Sequence, residues 1–110
     1  MAMKRMTPEM AALLAERFRA LGEPARLQIM HKLRDGEQTV SALVEATELS
    51  TANVSKHLQV LFATGFVTRR KDGVCVYYAL ASKDVFKLCD IMCGQLDADA
   101  VERRRVLAER

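Results

Sequence analysis

The chain has 110 residues, with 17 Lys or Arg, 14 Asp or Glu and 2 His, and its net charge is +3. This length fits one domain spanning 1–110, and so mild a charge does not by itself require a nucleic acid partner. No apolar run is long enough to span a membrane, and we expect neither a membrane partner nor a signal peptide. Three cysteines without paired spacing argue against a disulfide framework and favour the reducing cytoplasm.

The first part of the chain predicts three helices. Thr7 is placed to cap a first helix that begins at Pro8 and ends near Leu21. Pro24 begins a second helix that ends at Asp35-Gly36, and a short third helix is expected over 40–46. Apolar residues at helical spacing give the first helix an apolar stripe, which consists of Met10, Leu13, Leu14, Phe18 and Leu21. In the second helix they predict an inward face, which consists of Leu27, Ile29, Met30 and Leu33.

The segment 39–61 predicts two helices separated by a three-residue turn. Ser50 is a good N-cap for the second of them, which is expected over 51–64 and stops at Gly65. Its apolar positions commit one face to the core: Val54, Leu58 and Leu61. The opposite face carries short or polar side chains, which fit a DNA major groove. The residues on or beside this face that we expect to contact DNA are Thr51, Ala52, Asn53, Ser55, Lys56 and Gln59.

A β-hairpin is expected after this helix. Residues 66–70 have strand character, Lys71-Asp72-Gly73 supplies the turn, and 74–80 returns as the second strand. Arg69, Arg70 and Lys71 concentrate positive charge at the tip, which suits contacts to phosphates or the minor groove. A helix-turn-helix followed by such a hairpin predicts a winged DNA-binding domain with a double-stranded operator as its partner. The alternative to DNA binding is that the outer face of the helix and the run of cations in the hairpin are merely exposed to solvent.

A last long helix is expected after Ser82, which is placed to cap it. Its apolar stripe carries Val85, Leu88, Cys89, Met92, Cys93 and Leu96. The terminal segments 1–6 and 97–110 are expected to be flexible or to extend the neighbouring helices.

Three segments together resemble the ArsR/SmtB family of winged helix-turn-helix transcriptional repressors. They are LGEPARLQIMHKL, LSTANVSKHLQVL and the hairpin FVTRR…DGVCVYYAL, and the resemblance covers roughly residues 12–96. It implies a mainly α (α+β) fold of about five helices with a two-stranded β-hairpin wing. It also implies a homodimer, formed through the first and last helices, that binds an inverted-repeat operator and releases it when an effector binds.

The resemblance does not extend to the metal ligands for which the family is best known. The positions that match the Cys-x-Cys pair of the third helix are Thr39 and Ser41, and neither supplies a thiolate. The positions that match the ligands of the last helix are Ser82, Asp84, Gln95 and Ala98. Among these four, Asp84 alone is a plausible ligand, so the usual metal sites of the family are not expected here.

Two thiols offer a different site. Cys89 and Cys93 are four residues apart, so both project from one face of the last helix and can reach one soft ion. We therefore expect As(III) or another thiophilic metal ion as effector, with a third ligand from the partner subunit and Cys75 as a doubtful candidate. The alternatives are packing of the thiols in a core, a redox or persulfide response, and a regulator without effector. His57 is interpreted as a packing or backbone-supporting residue, and His31 has no ligand partner at helical spacing.

An enzyme is not expected from this sequence. It lacks a C-x-x-C redox pair, a nucleophile and His at a recognisable spacing, and a glycine-rich phosphate loop. No cofactor is expected apart from the effector ion. The combined prediction is a dimeric DNA-binding repressor of the cytoplasm.

Overall fold

The computed structural model describes residues 5–109. Within this range the chain forms five α-helices and three β-strands, which follow in the order α1 (Pro8–Leu21), α2 (Pro24–Lys32), β1 (Gln38–Thr39), α3 (Val40–Thr47), α4 (Thr51–Ala63), β2 (Val67–Asp72), β3 (Cys75–Leu80) and α5 (Asp84–Ala108). The predicted winged helix-turn-helix class is confirmed. Residues 1–4 and 110 of the predicted terminal segments lie outside the described residues.

Short polar side chains begin three of the helices. The hydroxyl of Thr7 accepts a hydrogen bond from the amide of Met10 at the start of α1. Thr39 and Ser50 cap α3 and α4 in the same way, at 3.2 and 3.1 Å. Each cap satisfies an amide that has no partner inside its helix, which is why these boundaries agree with the sequence pattern. The second helix ends at Lys32, before the predicted Asp35-Gly36, because 33–36 tighten into a turn.

The end of α4 is fixed by a glycine in the left-handed region. Gly65 has φ +83°, and the amide of Phe66 donates to the carbonyl of Leu61 at 2.9 Å. This backward bond closes a Schellman motif and directs the chain into β2. Arg17 of α1 donates to the carbonyl of Thr64 at 2.6 Å, so the last turn of α4 is tied to the first helix.

One hydrophobic core joins α2, α3, α4, the wing and the start of α5. Val54, Leu58 and Leu61 are fully buried, so the predicted inner face of α4 is confirmed. The buried core residues are Ile29, Met30, Leu33, Leu43, Val54, Leu58, Leu61, Val67, Tyr78 and Val85. The buried side of α4 fixes the orientation of the helix and leaves its opposite side at the surface.

The wing is part of a three-stranded antiparallel sheet with the strand order β1-β3-β2. The sequence pattern predicted only the hairpin, because β1 has two residues and no strand periodicity of its own. The predicted turn over 71–73 was wrong at Lys71 and Asp72, because these two residues belong to β2 and Asp72 pairs with Cys75. The two-residue turn is therefore Gly73-Val74, in which Gly73 has φ +61°, as a type II′ hairpin requires.

The last helix is longer than its apolar stripe. It has 25 residues and includes the charge-dense segment after Leu96, which is therefore a helical extension as far as Ala108. Of its predicted stripe, Val85 is buried, whereas Met92 and Leu96 are 58% and 65% exposed. Leu13 and Phe18 of α1 are each 59% exposed, so part of the predicted apolar stripe of this helix lies at the surface of the protomer. Within the described range no helix combines the length and apolar character needed to cross a membrane.

Candidate DNA-binding surface and thiol cavity

The outer face of α4 is accessible over its whole length. The predicted contact residues Thr51, Ala52, Asn53, Lys56 and Gln59 are exposed, and Ser55 is half-buried. Lys56 has no ion-pair partner within residues 5–109. The face thus offers a free cation and several hydrogen-bonding side chains on a rigid helix, which suits base edges and phosphates in a major groove.

Arg69 connects the wing to α4. Its guanidinium carbon lies 4.2 Å from the centre of the Phe62 ring, within the range of a cation–π interaction. Phe62 is 39% exposed at the end of the same helix. The predicted cation of the wing therefore lies next to the predicted reading helix, and the two halves of the candidate surface are contiguous.

Arg70 is engaged in contacts within its own chain, at the protein surface. Its Nε and Nη2 donate to the two carboxylate oxygens of Glu37 at 2.8 and 2.5 Å, and the guanidinium lies 4.5 Å from the ring centre of Tyr77. A second carboxylate, that of Asp72, is 3.7 Å away. The hydrogen bond from Arg70 holds the pKa of Glu37 below its ordinary value, and the same bond raises the pKa of Arg70. Arg70 is thus paired with Glu37 within the protomer, whereas the sequence pattern had indicated a free cation.

Lys71 is the remaining cation of the predicted wing set. It is exposed in β2, next to the turn, and takes part in no ion pair within the described part of the chain. Side chains alternate along a strand, so Lys71 lies on the same face of β2 as Arg69. This is the face on which Arg69 meets Phe62, and Lys71 therefore extends the positive surface from α4 toward the tip of the wing.

His57 and Arg26 form a link that the sequence pattern did not reveal. Arg26 of α2 donates from Nε to the carbonyl of Ala20 at 2.6 Å, and its Nη1 lies 3.3 Å from Nδ1 of His57. A guanidinium only donates, so Nδ1 of His57 is the acceptor in this contact. His57 thus supports α4 against the end of α1 and faces away from the groove side. Local sequence patterns could not reveal this contact, because 31 positions separate the two residues along the chain.

Cys89 and Cys93 line one cavity of about 270 Å³ between α2 and α5, together with His31, Asp90 and several apolar side chains. Cys89 is half-buried, and Cys93 and Cys75 are exposed. Cys75 lies at the start of β3 beside the wing turn and is not packed in the protomer core. Within residues 5–109 no three His, Cys, Asp or Glu side chains come together in an arrangement suited to a metal ion. The two thiols are accessible but do not complete a metal site in one protomer.

Asp84, the one family-matched position with a ligand side chain, has a neighbouring cation. Lys87 lies 3.1 Å from its carboxylate, and this hydrogen bond lowers the pKa of Asp84. Within the protomer the carboxylate of Asp84 is thus paired with a lysine.

The chain matches the model of the bacterial regulatory protein arsR family over residues 23–69. It is 34% identical to the nodulation protein NolR of Rhizobium meliloti over 98 residues, which cover 87% of this chain and 80% of NolR. The HTH-type transcriptional regulator Rv0324 of Mycobacterium tuberculosis is 40% identical over 81 residues, 71% of this chain and 36% of that protein. A probable mercury resistance operon repressor of Streptomyces lividans is 37% identical over 71 residues, 64% of this chain and 57% of that protein. The matched chain thus spans about a third of one relative's length and most of another's.

The fold is shared with a solved DNA-binding domain. The homodimeric winged helix-turn-helix DNA-binding domain of Mb0332 from Mycobacterium bovis, described as a possible ArsR-family transcriptional regulator, has a TM-score of 0.68 at 34% identity. The match covers 88% of this chain and 91% of that domain. Relatives and fold agree with the exposed reading helix and the basic wing. The chain belongs to the ArsR family of bacterial regulatory proteins and is a winged helix-turn-helix DNA-binding transcriptional regulator, not an enzyme.

Proposed function

We propose that this regulator is a homodimeric repressor of the cytoplasm that binds an inverted-repeat operator through α4 and the wing. The observation that carries this proposal is the exposed polar face of α4, continuous with Arg69 and Lys71 through the contact between Arg69 and Phe62. A helix of this kind enters the major groove, and a basic wing beside it neutralises phosphates.

A second copy of the chain is the proposed partner of α1 and the first half of α5. Leu13, Phe18, Met92 and Leu96 are more than half exposed, which is unusual for large apolar side chains gathered on two helices. An apolar groove of about 350 Å³ lies between α1, α2 and α5. A homodimer covers such a surface and places two reading helices to contact the two halves of an inverted repeat. The homodimeric state of the Mb0332 domain supports this arrangement.

The DNA-binding surface is tested on a duplex selected by the wild-type protein from a random-sequence library. Lys56→Glu reverses the one free charge at the centre of the α4 face, and we expect it to abolish binding in a mobility-shift assay. Circular dichroism and thermal unfolding check that the fold is retained. An enriched inverted repeat supports dimeric binding, whereas full affinity of a folded Lys56→Glu protein would remove α4 from the interface.

The proposed effector is As(III) or another thiophilic ion bound by Cys89 and Cys93. The two thiols share one cavity, and soft thiolates select ions of this class. Two ligands are too few for a tight site, so the third is proposed to come from the second subunit across the α5 face, Cys75 being far along the chain in the wing. One relative is named a probable mercury resistance operon repressor, and because mercury is a thiophilic metal this relationship supports a soft ion here.

A response without metal is the second candidate, and the accessibility of Cys93 favours it. An exposed thiol next to a half-buried one is open to persulfide or oxidation, and two subunits bring two such pairs together. Titration of the protein–DNA complex with arsenite, cadmium and a persulfide donor separates the candidates. Release by arsenite or cadmium in wild type but not in Cys89→Ser/Cys93→Ser supports the ion, and release by persulfide alone supports the second candidate. Equal responses of both proteins would remove the thiols from regulation.

A further inference from the structure

One ion pair spans the whole sheet of the wing. Arg70 of β2 is the cross-strand neighbour of Tyr77 in β3, and Tyr77 is in turn the neighbour of Thr39 in β1. The guanidinium of Arg70 lies over the Tyr77 ring and meets the carboxylate of Glu37, two residues before Thr39. Arg70 therefore reaches across the central strand and joins β2 to the residue that directly precedes β1.

The two ends of this ion pair belong to different parts of the DNA-binding unit. Glu37 directly precedes β1, whose Thr39 caps α3, the first helix of the helix-turn-helix. Arg70 lies within two residues of the end of β2, near the tip of the wing. A two-stranded hairpin with a two-residue turn is marginal by itself, and a bidentate guanidinium–carboxylate pair fixes direction as well as distance. The pair therefore restricts the swing of the wing relative to α3.

We infer that Glu37, Arg70 and Tyr77 form a clasp that positions the wing, and that Lys71 supplies the wing's charge to the DNA backbone in place of Arg70. Arg70 and Lys71 are consecutive and point to opposite faces of β2. Lys71 lies on the face of β2 that meets α4 through Arg69 and Phe62, whereas Arg70 lies on the other face and binds Glu37. The inference rests on the proposed DNA-binding surface and assigns Glu37 and Arg70 as positioning residues within it.

A double-mutant cycle on the selected duplex gives the test, because the two roles predict opposite signs for Glu37→Gln. If Arg70 binds phosphate, the loss of a neighbouring anion frees it and affinity rises or stays equal. If the clasp positions the wing, Glu37→Gln and Arg70→Ala each weaken binding by about tenfold, and the double variant also by about tenfold rather than a hundredfold. Affinity that rises or stays equal in Glu37→Gln, or losses that multiply in the double variant, would overturn the inference.

Backbone order of the free protein provides a readout that does not depend on DNA. We expect 15N relaxation to show increased motion at Asp72 to Cys75 in Glu37→Gln and Arg70→Ala, with α4 unchanged. Lys71→Ala is the matched control, because it leaves the wing ordered. It should make the slope of the logarithm of affinity against the logarithm of salt concentration shallower by about 1.8, which is about 0.9 for each of two subunits. An unchanged wing in the clasp variants would also overturn the inference.

Failure of the proposed surface gives a different pattern. In that case Lys56→Glu and Lys71→Ala leave DNA affinity intact, while the clasp variants still loosen the wing in relaxation measurements. The opposite pattern would refute the clasp alone. In that pattern Lys56→Glu loses binding, whereas Glu37→Gln keeps full affinity and a rigid wing.

Discussion

Lys56 gives the most quantitative test of how α4 meets DNA. It is exposed at the centre of the outer face of α4 and has no ion-pair partner within residues 5–109, so Lys56→Ala changes charge without disturbing packing. A surface change of this kind alters the free energy of unfolding by no more than about 0.5 kcal/mol. Its effect on DNA affinity therefore measures a contact rather than the stability of the domain.

The expected magnitude follows from counterion release. Each phosphate neutralised on B-DNA contributes about 0.9 to the slope of the logarithm of affinity against the logarithm of salt concentration. A homodimer carries Lys56 twice, so the slope of Lys56→Ala is expected to be shallower by about 1.8. From about 50 to 200 mM salt, the wild type should then lose about twelvefold more affinity than the variant.

Fluorescence anisotropy of the selected duplex at several salt concentrations measures this slope. Lys87→Ala is the control, because Lys87 lies on α5, pairs with Asp84 and lies outside α4 and the wing. We expect the slope of the control to equal that of wild type. The same slope in Lys56→Ala and wild type would mean that α4 does not approach the phosphates through this residue, and the docking geometry would have to be rejected.

Three further predictions concern the fold and the clasp. The pKa of Glu37 is lowered in the folded protein by its bond to Arg70. The bond therefore contributes fully to folding stability above the ordinary glutamate pKa of about 4.3, and this contribution is lost as pH falls through the lower pKa of the folded state. Carbon NMR of the Glu37 carboxyl should show this low midpoint in wild type and a return toward the ordinary value in Arg70→Ala. Leu58 is fully buried, and Leu58→Ala should lower the free energy of unfolding by about 2–5 kcal/mol in urea, so a smaller loss than Ser50→Ala shows would contradict the core assignment. Ser50→Ala removes the cap on the Asn53 amide and should cost about 1 kcal/mol in the same assay, whereas no change would mean that water replaces the cap without penalty.

The sequence by itself determined the local architecture of this protein. Thr7, Ser50 and Gly65 mark helix ends because their effects act within a few residues, through a capping hydroxyl or a positive φ. The apolar spacing of α4 determined its buried side for the same reason. The family motifs identified the reading helix and the hairpin, although the turn begins at Gly73, two residues later than predicted.

Only the tertiary structure decided which partners the charged and apolar side chains meet. Arg70 pairs with Glu37 across 33 positions, and Arg26 meets His57 across 31, distances over which local periodicity carries no information. β1 exists because it pairs with β3, not because its two residues favour a strand. The apolar stripes of α1 and α5 were visible in the sequence, but only the packed protomer shows that much of each stripe remains at its surface. Leu13, Phe18, Met92 and Leu96 are exposed because the core is completed by α2, α3, α4, the wing and Val85 at the start of α5.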